Sequence, residues 1–167
     1  MEKLYSPWRS LYIESFNKKS KKGIRECIFC KAASETKDKK NFVLRRYKYW
    51  FSLLNLYPYN AGHIMIAPYR HLDDMVYLQK EEQNELIKIV NDTIAALRTT
   101  MQPEGFNIGM NMGKVAGAGI DHHIHWHIVP RWNGDTNFMP VLNDVKIVSQ
   151  EMKKTWALVR NELKKNS

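Results

Sequence analysis

Apolar and polar positions alternate cleanly in two stretches of the chain. From Phe106 to Gly113, Phe106, Ile108, Met110 and Met112 fall on one side and Asn107, Gly109, Asn111 and Gly113 on the other. Side chains two apart on a strand share a face. The period therefore predicts a strand with its apolar face on a helix and a small, polar face on a cleft. From His123 to Pro130 the same period sets Ile124, Trp126 and Ile128 against His123, His125 and His127. Pro130 is the expected strand end, because proline donates no ladder hydrogen bond. Residues 41–46 and 50–56 read as two more strands around a turn at 47–49. A further strand, 63–67, follows a turn at Asn60-Ala61-Gly62 and stops at Pro68.

Two stretches follow a helical period instead. Leu86, Val90, Ile94, Leu97 and Met101 form a single apolar stripe on a helix expected over 78–101, with Glu81, Glu82, Lys88 and Asp92 mostly off it. Pro103 and Gly105 end that helix. Ser149 is a fair N-cap for a last helix, whose stripe is Met152, Trp156, Val159 and Leu163 and whose negative end suits Lys164 and Lys165. The sum is an α+β fold: an antiparallel sheet of about five strands, one long helix and a C-terminal helix. Residues 137–141, after a turn at 131–135, are expected to pair briefly or to cross to a partner.

The 167 residues suffice for one domain with a core, and 44% hydrophobic with 11% aromatic content describes an ordered globular chain. Residues 27–167 are taken as that domain. Residues 1–26 form an N-terminal extension whose Pro7, Trp8, Leu11, Tyr12 and Phe16 are too apolar for a free tail, so it is expected to pack on the body or on a second subunit. No apolar run is long enough to span a bilayer and no charged-then-apolar leader opens the chain, so the expected location is cytoplasmic. The formal charge of +9 is concentrated: residues 18–48 hold twelve Lys or Arg against three Asp or Glu, and the rest is balanced. Such a run is ordinarily a solvated face; the functional alternative is an attractor for anionic substrates or nucleic acid.

Four of the six histidines lie between His122 and His127. Three imidazoles in a row on a strand are costly unless each ring finds a use for its nitrogens. The row is a solvated His-rich face, a histidine metal site, or a nucleophilic centre in which one imidazole is held as a donor at one nitrogen and attacks through the other. The two cysteines form Cys27-Ile-Phe-Cys30. In a reducing compartment such a pair is metal-binding or redox-active more often than a structural disulfide, and no βαβ pattern accompanies it. Two thiolates are half of a tetrahedral zinc site; His63, His71, His122 and His123 are the candidates for the other half, and a reduced, buried pair without metal is the alternative.

His123-Ile-His125-Trp-His127-Ile-Val resembles the signature of the histidine triad (HIT) family of nucleotidyl hydrolases and transferases. Phe51-Ser-Leu-Leu-Asn-Leu-Tyr-Pro-Tyr-Asn-Ala-Gly-His63 and Pro130-Arg-Trp-Asn-Gly-Asp-Thr-Asn-Phe138 are similar to the branch that splits diadenosine polyphosphates, which includes a diadenosine tetraphosphate phosphorylase. The resemblance implies a HIT-like fold and a catalytic set of His123, His125 and His127. His125 would attack the α-phosphorus of a nucleoside phosphate and form a nucleotidyl-histidine, which water or phosphate resolves. It implies substrate contacts from Asn55 to a ribose, from His63 and Asn111 beside the phosphates or sugar, and from backbone N–H groups of the loop with Gly113, Gly117 and Gly119. It selects Cys27, Cys30, His71 and His123 as ligands of a structural zinc, as in zinc-binding members and the related galactose-1-phosphate uridylyltransferases. It also implies a homodimer built on the long helix and the sheet edge. No carboxylate cluster for Mg2+ is evident. Many members carry Gln followed by Ser or Thr before the first triad histidine; here Gly119-Ile120-Asp121 occupies that stretch, so no proton donor to the leaving group is assigned. The rival reading from another class is a zinc-stabilised, basic nucleic-acid-binding module, which the triad disfavours.

Overall fold

The computed structural model describes residues 27–136 and 151–165. The N-terminal extension, the 137–141 segment and the Ser149 cap lie outside the described residues. The elements run α1 (Ile28–Ser34), β1 (Val43–Arg46), β2 (Trp50–Leu54), β3 (Ile64–Pro68), α2 (Lys80–Met101), β4 (Gly105–Met110), β5 (Trp126–Arg131) and α3 (Met152–Lys165), with single 3-10 turns at Met75–Tyr77 and Lys114–Ala116. The strands form one antiparallel sheet in the order β1-β2-β3-β5-β4. This is the α+β arrangement the periodicities predict, with one element they did not reveal: α1.

Strands β2 and β3 are buried along their whole length. One face packs Leu44, Trp50, Leu54, Ile64, Ile66, Ile124 and Ile128 against Leu86, Ile89, Val90 and Leu97 of α2 and Val159 and Leu163 of α3. The other sets Val43, Phe51, Leu53, Met65 and Ala67 against Phe29 and Ala32 of α1. Covered on both sides, these strands carry near-continuous apolar runs.

Helix α2 opens on a capping box. The Gln79 side chain accepts from the backbone at Glu82, and the Glu82 carboxylate accepts from the Gln79 N–H at 2.8 Å. That pairing satisfies two orphan donors and contributes about 1 kcal/mol. Glu82 is not off the buried stripe as expected. It is 2% exposed, and Arg70 holds it through Nε at 2.8 Å and Nη2 at 2.9 Å.

The histidine strand is shorter than its alternation predicts. The ladder with β3 ends at the Ile66–Trp126 pair. Continuing the register would set Pro68 opposite Ile124, and proline has no N–H to offer. The Ile124 N–H instead donates to the Leu72 carbonyl at 2.6 Å. His123 and His125 therefore precede β5, and only His127 lies within it. Pro130 is not the end of β5 either: it pairs with Phe106, and Arg131 follows. Its nitrogen faces the β3 side just beyond the start of that strand, where no ladder bond is needed.

Strand β4 ends at Met110 rather than Gly113. Phe106 and Met110 pack on the core as expected, whereas Ile108 and Met112 are exposed. Part of the basic run is structural. Arg46 donates to the Ala32, Ala33 and Glu35 carbonyls at 2.9, 3.0 and 2.6 Å, and Arg45 donates to the Leu163 carbonyl at 2.5 Å. Two arginines thus satisfy the open carbonyls at the ends of α1 and α3.

Candidate active site

Cys27 caps α1 and Cys30 lies three residues on, so the two thiols share one side of its first turn. Arg46 anchors the far end of the same helix and pairs with Asp38 at 2.9 Å. Cys27 Sγ is 3.2 Å from His123 Nδ1, and Cys30 Sγ is 3.1 Å from His71 Nδ1 and 3.6 Å from His123 Nδ1. The four ligand atoms lie within 4.8 Å of one another. Tetrahedral bonds of about 2.0–2.3 Å place ligand atoms roughly 3.5 Å apart, so the set fits one small metal ion. The ring nitrogens agree. A carbonyl accepts only, so the contact of His123 Nε2 with Pro68 O at 3.0 Å makes Nε2 the protonated nitrogen and presents the Nδ1 lone pair to the thiols. Burial lowers the His123 pKa to about 4 against the opposing bond to Pro68, which keeps the ring neutral. Burial, then the neighbouring Cys27, pushes the Cys30 thiol up to about 11.

His125 is set the other way. Its Nδ1 lies 3.0 Å from the carbonyl oxygen of His123 and must donate to it, so the neutral ring keeps its lone pair on Nε2. Phe29 of α1 covers this ring with centroids 4.8 Å apart, and His125 is 4% exposed. That burial lowers its pKa, opposed by the bond to His123. The ring is ready to act as a nucleophile at neutral pH.

His127 differs again, and the reason lies in the segment that leads into β3. The Tyr59 N–H donates to His63 Nδ1 at 3.1 Å, and the Asn55 amide lies 3.3 Å from the same nitrogen. A backbone N–H cannot accept, so His63 carries its proton on Nε2. His63 is 1% exposed, and burial first, with His127 and His125 adding to it, holds its pKa well below the ordinary value. Neutral His63 therefore donates from Nε2 to His127 Nδ1 at 2.9 Å. His127 in turn keeps its proton on Nε2. Its ring is 4.8 Å from that of His125. One imidazole offers a lone pair and its neighbour an N–H.

Two cavities bear on these residues, one through His127 and one through Asn55. A cavity of about 480 Å³ is lined by Tyr59, Asn107, Gly109, Asn111, His127 and Arg131 among others. A smaller one of about 170 Å³ is lined by Asn55 with Lys31, Lys40, Leu53 and Met65. His125 lines neither. The structure thus gathers His125, His127, His63, Asn55 and Asn111 around one centre, and Cys27, Cys30, His71 and His123 around another. His63 stands behind His127. Gly113 and Gly117 take positive φ values of 79° and 88° around the 3-10 turn. Neither they nor Gly119 lines either cavity. Sequence reasoning missed Phe29 and Tyr59, which desolvate and orient the imidazoles. The only available signal was their place beside Cys30 and before His63.

The HIT domain family profile matches residues 36–134. The chain belongs to the HIT family. The AP-4-A phosphorylase of Mycobacterium tuberculosis is 38% identical to this HIT chain over 125 residues, which are 75% of the chain and 64% of that relative's length. Among solved structures, a zinc-bound histidine triad family protein from Mycobacterium smegmatis shares the fold at 23% identity. Its TM-score is 0.66, over 84% of this chain and 95% of that one. Plasmodium falciparum diadenosine triphosphate hydrolase shares it at 21% identity, with a TM-score of 0.62 over 95% and 97%. Cys27 and Cys30 lie ahead of the residues the family profile covers.

Proposed function

We propose that this HIT protein cleaves dinucleoside polyphosphates, diadenosine tetraphosphate or triphosphate among them, through a covalent nucleotidyl-histidine on His125. The observation that carries the reading is the opposite preparation of His125 and His127 by the His123 carbonyl and by His63. The His125 Nε2 lone pair attacks the α-phosphorus in line. As the new N–P bond forms, the bond from phosphorus to the bridging oxygen breaks, and its electron pair leaves on that oxygen. A nucleoside polyphosphate is a stable anion, so a hydrogen bond from His127 Nε2–H suffices to stabilise it. Water or phosphate then attacks the nucleotidyl-histidine and restores the ring.

Mass spectrometry after brief incubation with diadenosine tetraphosphate is expected to show one adenylate on His125. The identity to a named AP-4-A phosphorylase favours phosphate as the second acceptor. Phosphorolysis of diadenosine tetraphosphate gives ADP and ATP; hydrolysis gives AMP and ATP. Nucleotide chromatography with and without phosphate separates the two.

The metal at Cys27, Cys30, His71 and His123 is proposed to be zinc. Two sulfur and two nitrogen donors, with a neutral imidazole oriented by a carbonyl, match its preferences. The metal closes a structural shell, and the chain's contribution is to hold His123, whose carbonyl orients His125. About one zinc per chain is expected in protein purified without chelator. Free thiols at this site suit a reducing compartment, consistent with a cytoplasmic protein. A homodimer through α2 and the open edge of β4, where Ile108 is exposed, is the proposed assembly. Light scattering on the purified protein tests it.

A further inference from the structure

The run Cys27-Ile-Phe-Cys30 sets Phe29 between two thiols, and the fold uses all three at one spot. The thiols meet His123 and His71. Phe29, fully buried, lies against His123 and His125 with ring centroids 5.2 and 4.8 Å apart. The cover of the nucleophilic ring and the sulfur half of the metal shell are therefore parts of one helical turn. The chain has two cysteines, so any disulfide within it joins these two. Both are free thiols, and their access differs: Cys27 is buried, whereas Cys30 is partly exposed beside the exposed His71.

Joining the two sulfurs changes this turn in two ways. The first is steric. Cβ atoms three residues apart in a helical turn are about 5–6 Å from each other, and a disulfide needs about 3.5–4.5 Å. The bond therefore draws Cys27 and Cys30 together by about 1–2 Å, with Phe29 inside the loop it closes. Arg46 holds the Ala32, Ala33 and Glu35 carbonyls at the far end of α1, so the adjustment falls on the first turn. The second change is electronic. A disulfide has neither an S–H to donate nor a thiolate to bind metal. His71 and His123 alone are half of a tetrahedral shell. The His123 Nδ1 lone pair, in a ring with 0% exposure, is left facing no donor and no cation, which a buried acceptor tolerates poorly. The carbonyl of that same residue is what fixes the proton of His125 on Nδ1.

We propose that Cys27 and Cys30 are a peroxide-reactive thiol pair, whose oxidation to an intramolecular disulfide opens the metal shell and disarms His125. Cys30, the accessible sulfur, reacts first. Its thiolate attacks one oxygen of hydrogen peroxide, the O–O bond breaks, and a sulfenic acid and hydroxide result. The Cys27 thiolate then attacks the Cys30 sulfur, the S–O bond breaks, and a second hydroxide leaves. The two hydroxides take protons from solvent and end as water; the sulfurs lose two electrons and the peroxide gains them. A dithiol reductant reverses the change by thiol–disulfide exchange. The loss of activity rests on the catalytic reading above, whereas disulfide formation and metal release do not.

The test treats wild-type protein, purified with its zinc, with hydrogen peroxide. Zinc release is read with a chromogenic chelator, the cysteines by peptide mapping, and adenylation of His125 by mass spectrometry with diadenosine tetraphosphate. The expected result is a Cys27–Cys30 disulfide, zinc released in step with it, and adenylation slowed about tenfold or more. Dithiothreitol with added zinc should restore adenylation. It does not reduce methionine sulfoxide, so recovery assigns the effect to the thiol pair. Cys30→His keeps a nitrogen donor in the shell and cannot form the disulfide. Under the same peroxide it should keep its zinc and lose less than twofold of its own adenylation rate; the wild-type readouts decide if this variant binds no metal. Zinc retained alongside the disulfide, oxidation that dithiothreitol does not reverse, or adenylation unchanged in the disulfide form overturns the switch. Reduced protein that never carries adenylate on His125 overturns the catalytic reading, and the disulfide and zinc readouts still decide whether the pair responds to peroxide.

Discussion

His123 and His127 are the same residue type four positions apart, and they are held by opposite means. His123 lies outside the ladder. Its orientation comes from the Pro68 carbonyl and from thiols carried on α1, an element 96 residues away from it in sequence at Cys27. His127 lies inside the ladder between Met65 and Gly109, and its orientation comes from His63, the residue just before the neighbouring strand. Between them, His125 takes its proton position from the backbone of the first and has the ring of the second beside it. Partners, not residue type, decide which nitrogen of an imidazole can react. One end of the row is a scaffold that metal would tighten, and the other is a hydrogen-bond relay that metal does not touch.

The largest effect expected is at the residue the two ends share. His125→Ala should lower turnover of diadenosine polyphosphate by about 10³-fold or more and abolish the adenylated species, with an unchanged far-UV spectrum. Next comes the metal end. Cys27→Ser should remove the bound metal, lower the melting temperature, and cut activity by roughly 10–100-fold through the loosened His123 carbonyl. Metal analysis and thermal scanning on one sample check both parts. Retained activity after metal loss would mean that the two ends are independent.

The relay end separates from the metal end in a third variant. His63→Phe deprives His127 Nδ1 of its donor, so His127 no longer favours a proton on Nε2. We expect kcat/KM to fall about tenfold with metal content unchanged; loss of metal in this variant would erase the contrast drawn above. The smallest effect is on stability. Burial holds the His63 pKa below its ordinary value, so the unfolded chain binds the extra proton first as pH falls. The linkage slope is then positive, and stability drops as pH falls below about 6.5, by up to about 1.4 kcal/mol per pH unit for one proton. Denaturant titrations between pH 7 and 5 should show a shallower decline in His63→Phe than in wild type.

Much of this was legible along the chain. The two-residue period at 106–113 and 123–130 located β4 and β5, and the 86–101 stripe located α2, because strand and helix periodicities are local consequences of backbone geometry. The imidazole row and the Cys27/Cys30 pair were visible as chemistry, and the resemblance correctly grouped His71 and His123 with them. Strand ends were not legible. Where β5 stops pairing depends on Pro68, 56 residues before Ile124, and on the Leu72 carbonyl that takes the Ile124 N–H. Helix α1 escaped notice because its seven residues are too few for a period to register, and it is held by tertiary bonds from Arg46.

By itself, then, the order of residues determined the family, the strands and the two longer helices within a few residues of their ends, and the histidines and cysteines that carry the candidate chemistry. All of these follow from spacing and residue type over short distances. Only the folded chain decided which nitrogen of each imidazole carries a proton. That choice depends on a carbonyl, a backbone N–H or a thiol arriving from a distant segment at hydrogen-bonding range, and no local pattern encodes such an arrival.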